Sequence, residues 1–172
     1  MQLSVSMGFQ CRSCGICCRM QPPDVDNTER KRIETRGFKN FLESPDETGI
    51  LWVRRKKDGS CYFLDKNNRC AIYSVRPAVC RLEPFTITDY DYEKSIVELE
   101  LNFPFSSCCA GSCERTEISP DKETVKAAQV MMQKILAVTA EDMDLPLNDK
   151  RVHVEARSRI LRRKIEMANL QL

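Results

Sequence analysis

Four cysteines lie close together near the start of the chain, and no other part of the sequence is so well suited to chemistry. Cys11, Cys14, Cys17 and Cys18 form a Cys-x2-Cys-x2-Cys-Cys run. The first three have the spacing of bacterial iron–sulfur ligands, whose fourth ligand comes from elsewhere in the chain. We expect Cys18 to point away from Cys17 and to serve a second centre. Gly15 after Cys14 allows the left-handed backbone that a turn between such cysteines needs. The run therefore predicts a metal-thiolate protein.

The other donors in the chain are also mainly sulfur. The chain has 10 cysteines but a single histidine. We expect His153 to be exposed or to cap a helix rather than to bind metal. Sites made of sulfur favour zinc or iron–sulfur clusters. Structural zinc sites usually use two separated cysteine pairs, so three cysteines in one run favour an iron–sulfur cluster, with zinc as the alternative. The remaining cysteines are Cys61, Cys70, Cys80, Cys108, Cys109 and Cys113.

Composition narrows the class of protein. The 172 residues suffice for one domain, and a formal net charge of +2 is too small to attract nucleic acid by itself. No apolar run is long enough to span a membrane. The N-terminus lacks the basic segment and long apolar core of a signal peptide, so we expect a cytoplasmic protein. Disulfides are rare in that compartment, which makes a disulfide scaffold the weaker interpretation.

Turn residues and apolar spacing predict short elements around the cysteines. A charged helix is expected at 28–43, with N-cap candidates at 26–28 and an interruption at Gly37. Strands at 50–55 and 61–64 are expected to form a hairpin. One helical turn at 76–81 and an exposed strand at 95–101 follow.

Two helices are expected after the last cysteine. The first opens at Ser119–Pro120 and runs for about 18 residues, a loop is expected at 141–148, and the second helix covers about 149–170. Basic side chains on the second indicate a solvated face, because aromatic residues for base stacking are missing. We divide the chain into a cysteine-cluster domain at 1–118 and a two-helix extension at 119–172 that packs on it or on a partner. The apolar face of the last helix is expected to comprise Val154, Leu161, Ile165, Ala168 and Leu172.

Three phrases of the sequence together resemble a known family. They are Phe9–Cys18, Gly59–Asp65 and Cys70–Phe85, which share the order of cysteines and the neighbours Phe-Leu-Asp, Ile-Tyr, Arg-Pro and Pro-Phe. The chain is similar to the YkgJ-type cysteine cluster family, described as a CxxCxxCC zinc- or iron-chelating domain. The resemblance covers roughly residues 8–113.

The resemblance implies a ligand set of eight cysteines. Their last member is followed by a small turn with glycine, which Cys109 fits, with Cys108 as its rival and Cys113 as an extra residue. Any of the remote thiols Cys61, Cys70, Cys80 and Cys109 could then complete the first centre. Eight thiols suffice for two [4Fe–4S] clusters, or for one cluster and one zinc. A flagellin lysine methylase that resembles this family carries an iron–sulfur cluster, which favours iron.

The expected fold is α+β: a small cysteine-rich, metal-stabilised domain with a short β-hairpin and two C-terminal helices. We expect an iron–sulfur protein that transfers electrons or helps to mature a metallocofactor as a subunit of a larger assembly. The alternative is a protein-interaction module with structural zinc. A catalytic role is less favoured, since the sequence has no phosphate-binding loop or dinucleotide fingerprint. Arg76 and Arg81 flank Cys80 and either offset thiolate charge or pair with carboxylates such as Asp65 or Glu83.

Overall fold

The computed structural model describes residues 2–5, 15–20, 22–45, 50–101 and 122–169. The predicted boundary between the two parts of the chain, at residue 118, lies outside these residues. The following cysteines also lie outside them: Cys11, Cys14, Cys108, Cys109 and Cys113. The described cysteines are not joined in disulfides: Cys17, Cys18, Cys61, Cys70 and Cys80.

Strands and helices are interspersed along the described chain, so the predicted α+β class is confirmed. The strands are β1 (Gln2–Val5), β2 (Asp24–Val25), β3 (Leu51–Trp52), β4 (Phe85–Asp91) and β5 (Ile96–Leu101). The helices are α1 (Cys17–Met20), α2 (Asn27–Glu34), α3 (Ala78–Leu82), α4 (Lys122–Met143) and α5 (Lys150–Asn169). A 3-10 turn covers Tyr73–Val75. None of the described helices has the length and apolar character needed to cross a membrane.

The larger sheet has the strand order β1–β5–β4. β4 and β5 form an antiparallel hairpin in which Phe85 lies opposite Leu101. β1 pairs with β5 in parallel, with Gln2 opposite Ile96. In the sequence, β1 precedes the first cysteine run and β4 follows α3. The sheet therefore holds the chain both before and after the segments that carry the described cysteines.

The main hydrophobic core lies between this sheet and the two long helices. β5 contributes Val97 and Leu99, while Glu98 and Glu100 between and after them are exposed, as the alternating pattern predicts. Alanines supply much of the helical contact, and small side chains allow helices to approach closely. The helical residues of this core are Ala127, Ala128, Met132, Leu136, Ala140, Val152, Ala156 and Ile160.

The buried face of α5 differs from the expected one. Val152, Ala156 and Ile160 are buried, whereas Val154 and Ile165 are each 61% exposed. α5 carries two apolar stripes, and the buried one contains the small Ala156, which suits close packing. The predicted apolar face, which also included Leu161, is therefore exposed in the described side chains, and a different stripe packs on the core. Ala168 and Leu172 lie outside them.

His153 belongs to the interior and is neither exposed nor a helix cap. Its Nδ1 lies 3.2 Å from the hydroxyl of Tyr90. Its ring stacks on Tyr92 with centroids 4.0 Å apart. Both tyrosines belong to or follow β4, a strand that the sequence pattern did not predict. The expected exposure was wrong because β4 covers this part of α5.

Acidic side chains of neighbouring strands neutralise basic residues of α5. Arg157 forms a two-point pair with Asp89, at 2.8 and 2.9 Å. Lys164 lies 2.7 Å from Glu100. The helix therefore presents less positive charge than its sequence suggests, which weakens the case for a nucleic-acid surface.

A second hydrophobic core lies within the cysteine-rich part of the chain. Its buried members are Val25, Ile33, Phe41, Val53, Cys61, Phe63, Ile72 and Val75. The ring of Phe63 lies between those of Phe38 and Phe41, each with its centroid 5.3 Å away. This part of the fold thus holds more apolar contact than the spacing of its cysteines suggested.

The short elements around this core depart from the expected ones in detail. α2 has the N-cap Asp26 and a reciprocal capping box with Glu29, but it ends at Glu34. The predicted hairpin is reduced to a bridge between Arg55 and Cys61. β3 pairs with β2 instead, because a two-residue strand pairs with whichever edge tertiary packing brings to it.

Candidate metal centre

The described part of the cysteine run begins at Gly15. Its φ of +73° lies in the left-handed region, as predicted. A Cβ atom at this position would lie 2.7 Å from Nη1 of Arg19 and 3.1 Å from Cδ1 of Leu64. The left-handed backbone is therefore the main reason for glycine here, and a larger residue would also displace the end of the Arg19 side chain. α1 follows and places Cys17 and Cys18 at its first two positions.

Arg19 ties this segment to the turn that precedes Cys70. Its Nη1 donates to the carbonyl of Gly15 at 3.2 Å. Its Nη2 donates to Oδ1 of Asn68 at 2.6 Å. No local sequence pattern predicts the role of Arg19, because that role depends on Asn68, which lies 49 positions away in the chain.

Backbone hydrogen bonds bring the next two cysteines to the run. The N–H of Cys61 donates to the carbonyl of Cys18 at 2.7 Å. The turn between Cys61 and Cys70 is held by Asp65, whose Oδ1 accepts from two backbone N–H groups at 2.8 Å each. An aspartate that bonds to the backbone of its own turn is a stable local arrangement.

Cys80 lies on α3, whose first turn is capped by a side chain from α2. The N-cap residue Pro77 makes no side-chain cap. Instead, Oε1 of Glu29 accepts a hydrogen bond from the N–H of Ala78 at 2.7 Å. A carboxylate at this position also complements the positive end of the helix. The sequence pattern of a capping box predicts only the local contact with Asp26, so the contact with Ala78 could not be foreseen.

Cys17 and Cys18 are hydrogen-bonded to each other. The bond from the Cys18 thiol lowers the pKa of Cys17 to about 6. The same bond, together with burial, raises the pKa of Cys18. The expectation that the two sulfurs diverge was wrong because both residues lie in a helix, where consecutive side chains are about 100° apart rather than on opposite sides.

The other thiols lie within electrostatic reach of this pair. Burial raises the pKa of Cys61 and of Cys70. Burial also raises the pKa of Cys80 well above its ordinary value, and the charges of Cys61, Cys70 and Cys17 add to that rise. Thiols from three separate segments are therefore each buried and influence one another electrostatically.

Arg76 is a basic side chain that acts on this region. Its charge contributes to the lowered pKa of Cys17 and partly offsets the burial that raises the pKa of Cys70. Its guanidinium lies 4.0 Å from the ring centroid of Tyr73. Arg81 pairs with Glu123 of α4 at 3.6 Å. Arg76 was expected either to offset thiolate charge or to pair with a carboxylate. Its effect on the thiols favours the first of these roles.

Glu83 follows α3 and adds an acidic group to the same region. Its Oε2 is fully buried and has no hydrogen-bond partner. Burial raises the pKa of Glu83 to about 8, and the charge of Cys17 adds to the rise. No sequence pattern distinguishes Glu83 from an ordinary surface acid.

The described thiols do not form a complete metal shell by themselves. Within the described ranges, no three Cys, His, Asp or Glu side chains lie close enough together to hold a metal ion. Of the predicted ligands, Cys11, Cys14, Cys108 and Cys109 lie outside the described residues. A metal centre here needs further donors. Cys14 directly precedes Gly15 in the sequence, and Cys11 lies four residues before it.

Comparison with known proteins gives one family and one curated relative. Residues 10–99 match the family model "CxxCxxCC: Putative zinc- or iron-chelating domain". The "Uncharacterized protein MJ0661" of Methanocaldococcus jannaschii is 33% identical over 92 residues, which cover 47% of each chain. The chain thus spans about half the length of that relative. No solved structure matches the chain.

Proposed function

The chain belongs to the CxxCxxCC family, and from this membership we propose that it is an iron–sulfur protein that acts as a non-catalytic subunit of a larger assembly. The family supports metal binding by the cysteine-rich region in general. The finer assignment, to one or two [4Fe–4S] clusters and to electron transfer or metallocofactor maturation, is our proposal.

The electrostatic influence that thiols from three segments have on one another supports this proposal. Cys17 and Cys18 come from α1, Cys61 and Cys70 from the turns that follow β3, and Cys80 from α3. None of them is in a disulfide. Buried thiolates that repel one another are costly without a cation, and a bound metal supplies that cation and deprotonates its thiol ligands.

The ligand set follows from the spacing of the run. Cys11, Cys14 and Cys17 are proposed to bind one centre, completed by one of the remote thiols Cys61, Cys70, Cys80 and Cys109. Cys18 and the thiols left over would serve a second centre, in which Cys108 is the alternative to Cys109. The contact between Cys17 and Cys18 means that two such centres would be close neighbours.

An iron–sulfur cluster supplies one-electron transfer when it is bound, and its potential depends on charge and hydrogen bonds around the sulfurs. In this chain Arg76 would raise the potential by offsetting thiolate charge. The backbone N–H groups of the Cys-x2-Cys turns would act in the same direction. We propose a cytoplasmic location and protein partners, with the exposed apolar residues Val154, Leu161 and Ile165 of α5 as a docking stripe.

Metal and sulfide analysis of anaerobically purified protein tests the proposal. Iron and acid-labile sulfide in comparable amounts, with visible absorbance that bleaches on reduction, are expected. Cys61→Ser, Cys70→Ser and Cys80→Ser are each to be compared with Cys113→Ser, to which we assign no ligand role. At least one of the first three is expected to lose iron while Cys113→Ser retains it.

Two other outcomes have distinct meanings. Zinc without sulfide would replace the proposed function by the alternative, a protein-interaction module with structural zinc. Absence of both metals from the wild-type protein would exclude a metal centre of either kind.

A further inference from the structure

Two tight turns in the cysteine-rich part of the chain each close on a cysteine. One isolated bridge pairs Arg55 with Cys61, and another pairs Leu64 with Cys70. We call the two segments that these bridges close the basic turns. Their basic side chains, all of them exposed, are Arg55, Lys56, Lys57, Lys66 and Arg69.

The two carboxylates of the basic turns bind the backbone of their own turns. Asp58 accepts from the N–H and from the hydroxyl of Ser60, at 3.0 and 2.7 Å. Asp65 accepts from two backbone N–H groups. Among the residues that the structure describes, no basic side chain of these turns forms an ion pair, whereas Arg157 of α5 pairs with Asp89. The basic turns thus hold positive charge that no ion pair of the described chain neutralises.

Hydrogen bonds to carbonyl groups join the two turns into one surface. Nζ of Lys56, in the first turn, donates to the carbonyl of Leu64 in the second. The guanidinium of Arg55 donates to the carbonyl of Gly59 at 3.0 Å and to that of Met20 at 3.4 Å. A carbonyl leaves the positive charge in place while it restrains the side chain. Binding to this surface would therefore cost less side-chain entropy than binding to unrestrained lysines and arginines.

Exposed apolar side chains lie among these charges. Tyr62 directly follows Cys61, and Met20 lies next to Arg55 through the carbonyl contact described above. The side chains of Tyr62 and Met20 are each 40% exposed. Protein interfaces are enriched in tyrosine, methionine and arginine, and their rims are polar. The basic turns therefore have the composition of a protein interface with a charged rim.

The charge of this surface selects the kind of partner. The two turns carry five basic and two acidic side chains, whereas the whole chain has a net charge of only +2. A second copy of the chain would bring like charges together. Phosphate groups are bound best by the two-pronged guanidinium of arginine, but Arg19 and Arg55 each use both terminal nitrogens inside the protein. An acidic protein surface is the partner that fits.

We propose that the basic turns are a docking surface for an acidic protein, with Tyr62 and Met20 at its centre. Complementary charge accelerates the encounter of two proteins and fixes their orientation. The surface is separate from the apolar stripe of α5. Because it adjoins Cys61 and Cys70, it would bring the partner to the thiol-bearing side of the chain. The proposal rests on the proposed function in one respect, namely that the chain acts through protein partners.

A fluorescent oligoglutamate peptide is the probe that tests this surface, titrated with the full chain at low salt and followed by anisotropy. The wild type is expected to bind it, and added salt is expected to weaken the binding. Lys57→Glu/Lys66→Glu is expected to bind about 10-fold more weakly, because two attractive charge pairs are replaced by two repulsive ones. Both lysines are exposed at the tips of the turns, so the fold is expected to tolerate the change.

Lys126→Glu/Arg163→Glu is the matched control, because it changes the net charge equally at exposed positions of α4 and α5. It is expected to bind oligoglutamate more tightly than Lys57→Glu/Lys66→Glu does. Equal affinities of the two double variants would overturn the docking surface. If Lys57→Glu/Lys66→Glu fails to fold, Lys57→Gln/Lys66→Gln decides, since it removes the charges without reversing them and is expected to bind with intermediate affinity.

The other possible occupants give different results. Tighter binding of a uridine oligonucleotide than of oligoglutamate of equal charge would overturn the proposal in favour of nucleic acid. A wild-type dimer that Lys57→Glu/Lys66→Glu abolishes would overturn it in favour of a second copy. A wild type that holds neither iron nor zinc, yet binds oligoglutamate through these lysines, would overturn the cluster and support the docking surface. An iron-loaded wild type that does not bind oligoglutamate would overturn the docking surface alone.

Discussion

Oε1 of Glu29 accepts a hydrogen bond from the N–H of Ala78 at 2.7 Å. The other oxygen of the same carboxylate accepts from Nζ of Lys134 on α4 at 2.9 Å. Glu29 is only 4% exposed, so both contacts are shielded from water. One side chain of α2 thereby joins the helix that carries Cys80 to the C-terminal helices.

Glu29→Ala is expected to lower the free energy of unfolding by about 2 kcal/mol, because it leaves the Ala78 N–H without its acceptor and reduces the contacts of Lys134 to its pair with Asp26 at 3.3 Å. Glu29→Gln keeps an acceptor for Ala78 and is expected to lose less. Denaturant unfolding measures both. Glu34→Ala is the control, since Glu34 forms an exposed pair with Arg30 and is expected to lose less than about 1 kcal/mol. If Glu29→Ala and Glu34→Ala lost the same free energy of unfolding, Glu29 would not be the residue that joins α3 to α4.

Gly15→Ala is expected to disturb the cysteine run more than an alanine at another left-handed glycine. Gly37 provides the comparison, since its φ is +89° and a Cβ there would meet nothing within 4 Å. Both substitutions are expected to cost about 1–2 kcal/mol of stability, because alanine disfavours the left-handed backbone conformation. Gly15→Ala also forces Arg19 to move, so it is expected to lose more stability and to retain less metal. Equal metal content in the two variants would show that the close contact at Gly15 has no effect on the site.

Removal of metal is expected to affect the two cores differently. Among the residues that the structure describes, the main core contains no cysteine, whereas the second core includes Cys61. Structural metal sites contribute roughly 10 kcal/mol or more to folding. After chelation, hydrogen exchange is expected to accelerate at 61–82 while α4 and α5 keep their protection. Uniform acceleration along the chain would mean that the fold depends on metal as a single unit.

The stability of the metal-free protein is expected to depend on pH through Glu83. Its pKa is about 8 in the folded protein against an ordinary value of 4.5. Between these values the folded state holds a proton that the unfolded chain has released, so this contribution to stability falls as the pH rises. Glu83→Gln removes it. The stability of Glu83→Gln relative to wild type is therefore expected to rise from about pH 5 to about pH 8, a window that the two pKa values define.

Cysteines titrate in the same pH range as Glu83, so the pH dependence of the wild type alone does not isolate the carboxyl. Comparing the wild type with Glu83→Gln removes most of the cysteine contribution, because both proteins share it. Chemical denaturation at several pH values in the presence of a chelator gives the measurement. If the free energies of unfolding of the two proteins differed by the same amount from pH 5 to pH 8, the carboxyl of Glu83 would be hydrated rather than buried.

Tyr90→Phe is expected to destabilise the main core without changing the metal content. The substitution removes the hydroxyl that faces Nδ1 of His153 at 3.2 Å, a loss of about 1 kcal/mol. Tyr92→Phe keeps the ring that stacks on His153 and is the milder control. Thermal unfolding and metal analysis of both variants check the expectation. A drop in bound metal for Tyr90→Phe would tie His153 to the metal centre.

Features set by local backbone chemistry could be predicted from the sequence. Gly15 was expected to be left-handed because a cysteine turn needs that conformation, and its φ is +73°. Asp26 was among the expected N-caps of α2, and it is the N-cap. The two C-terminal helices were expected from apolar residues at helical spacing, although α4 continues to Met143, beyond the loop expected from residue 141.

Features that depend on distant contacts could not be predicted in this way. α5 has two apolar stripes, and only packing on β4 and α4 decides that Ala156 is buried and Val154 is not. β4 is a strand because it pairs with β5, and no local sequence pattern predicts that pairing. Glu29 and Glu83 carry ordinary acidic side chains whose importance comes from burial alone.

The parallel pairing of β1 with β5 also sets an order of events during synthesis. Gln2 has no strand partner until Ile96 has been made, and non-local pairings of this kind form slowly. At roughly 5–20 residues per second, the first thiols leave the ribosome several seconds before the strand that will anchor them. Nascent chains therefore expose an unshielded cysteine run during that interval. A chain that stops short of Ile96 would retain the run but never gain its anchor, so premature termination would yield a reactive fragment rather than a smaller working protein.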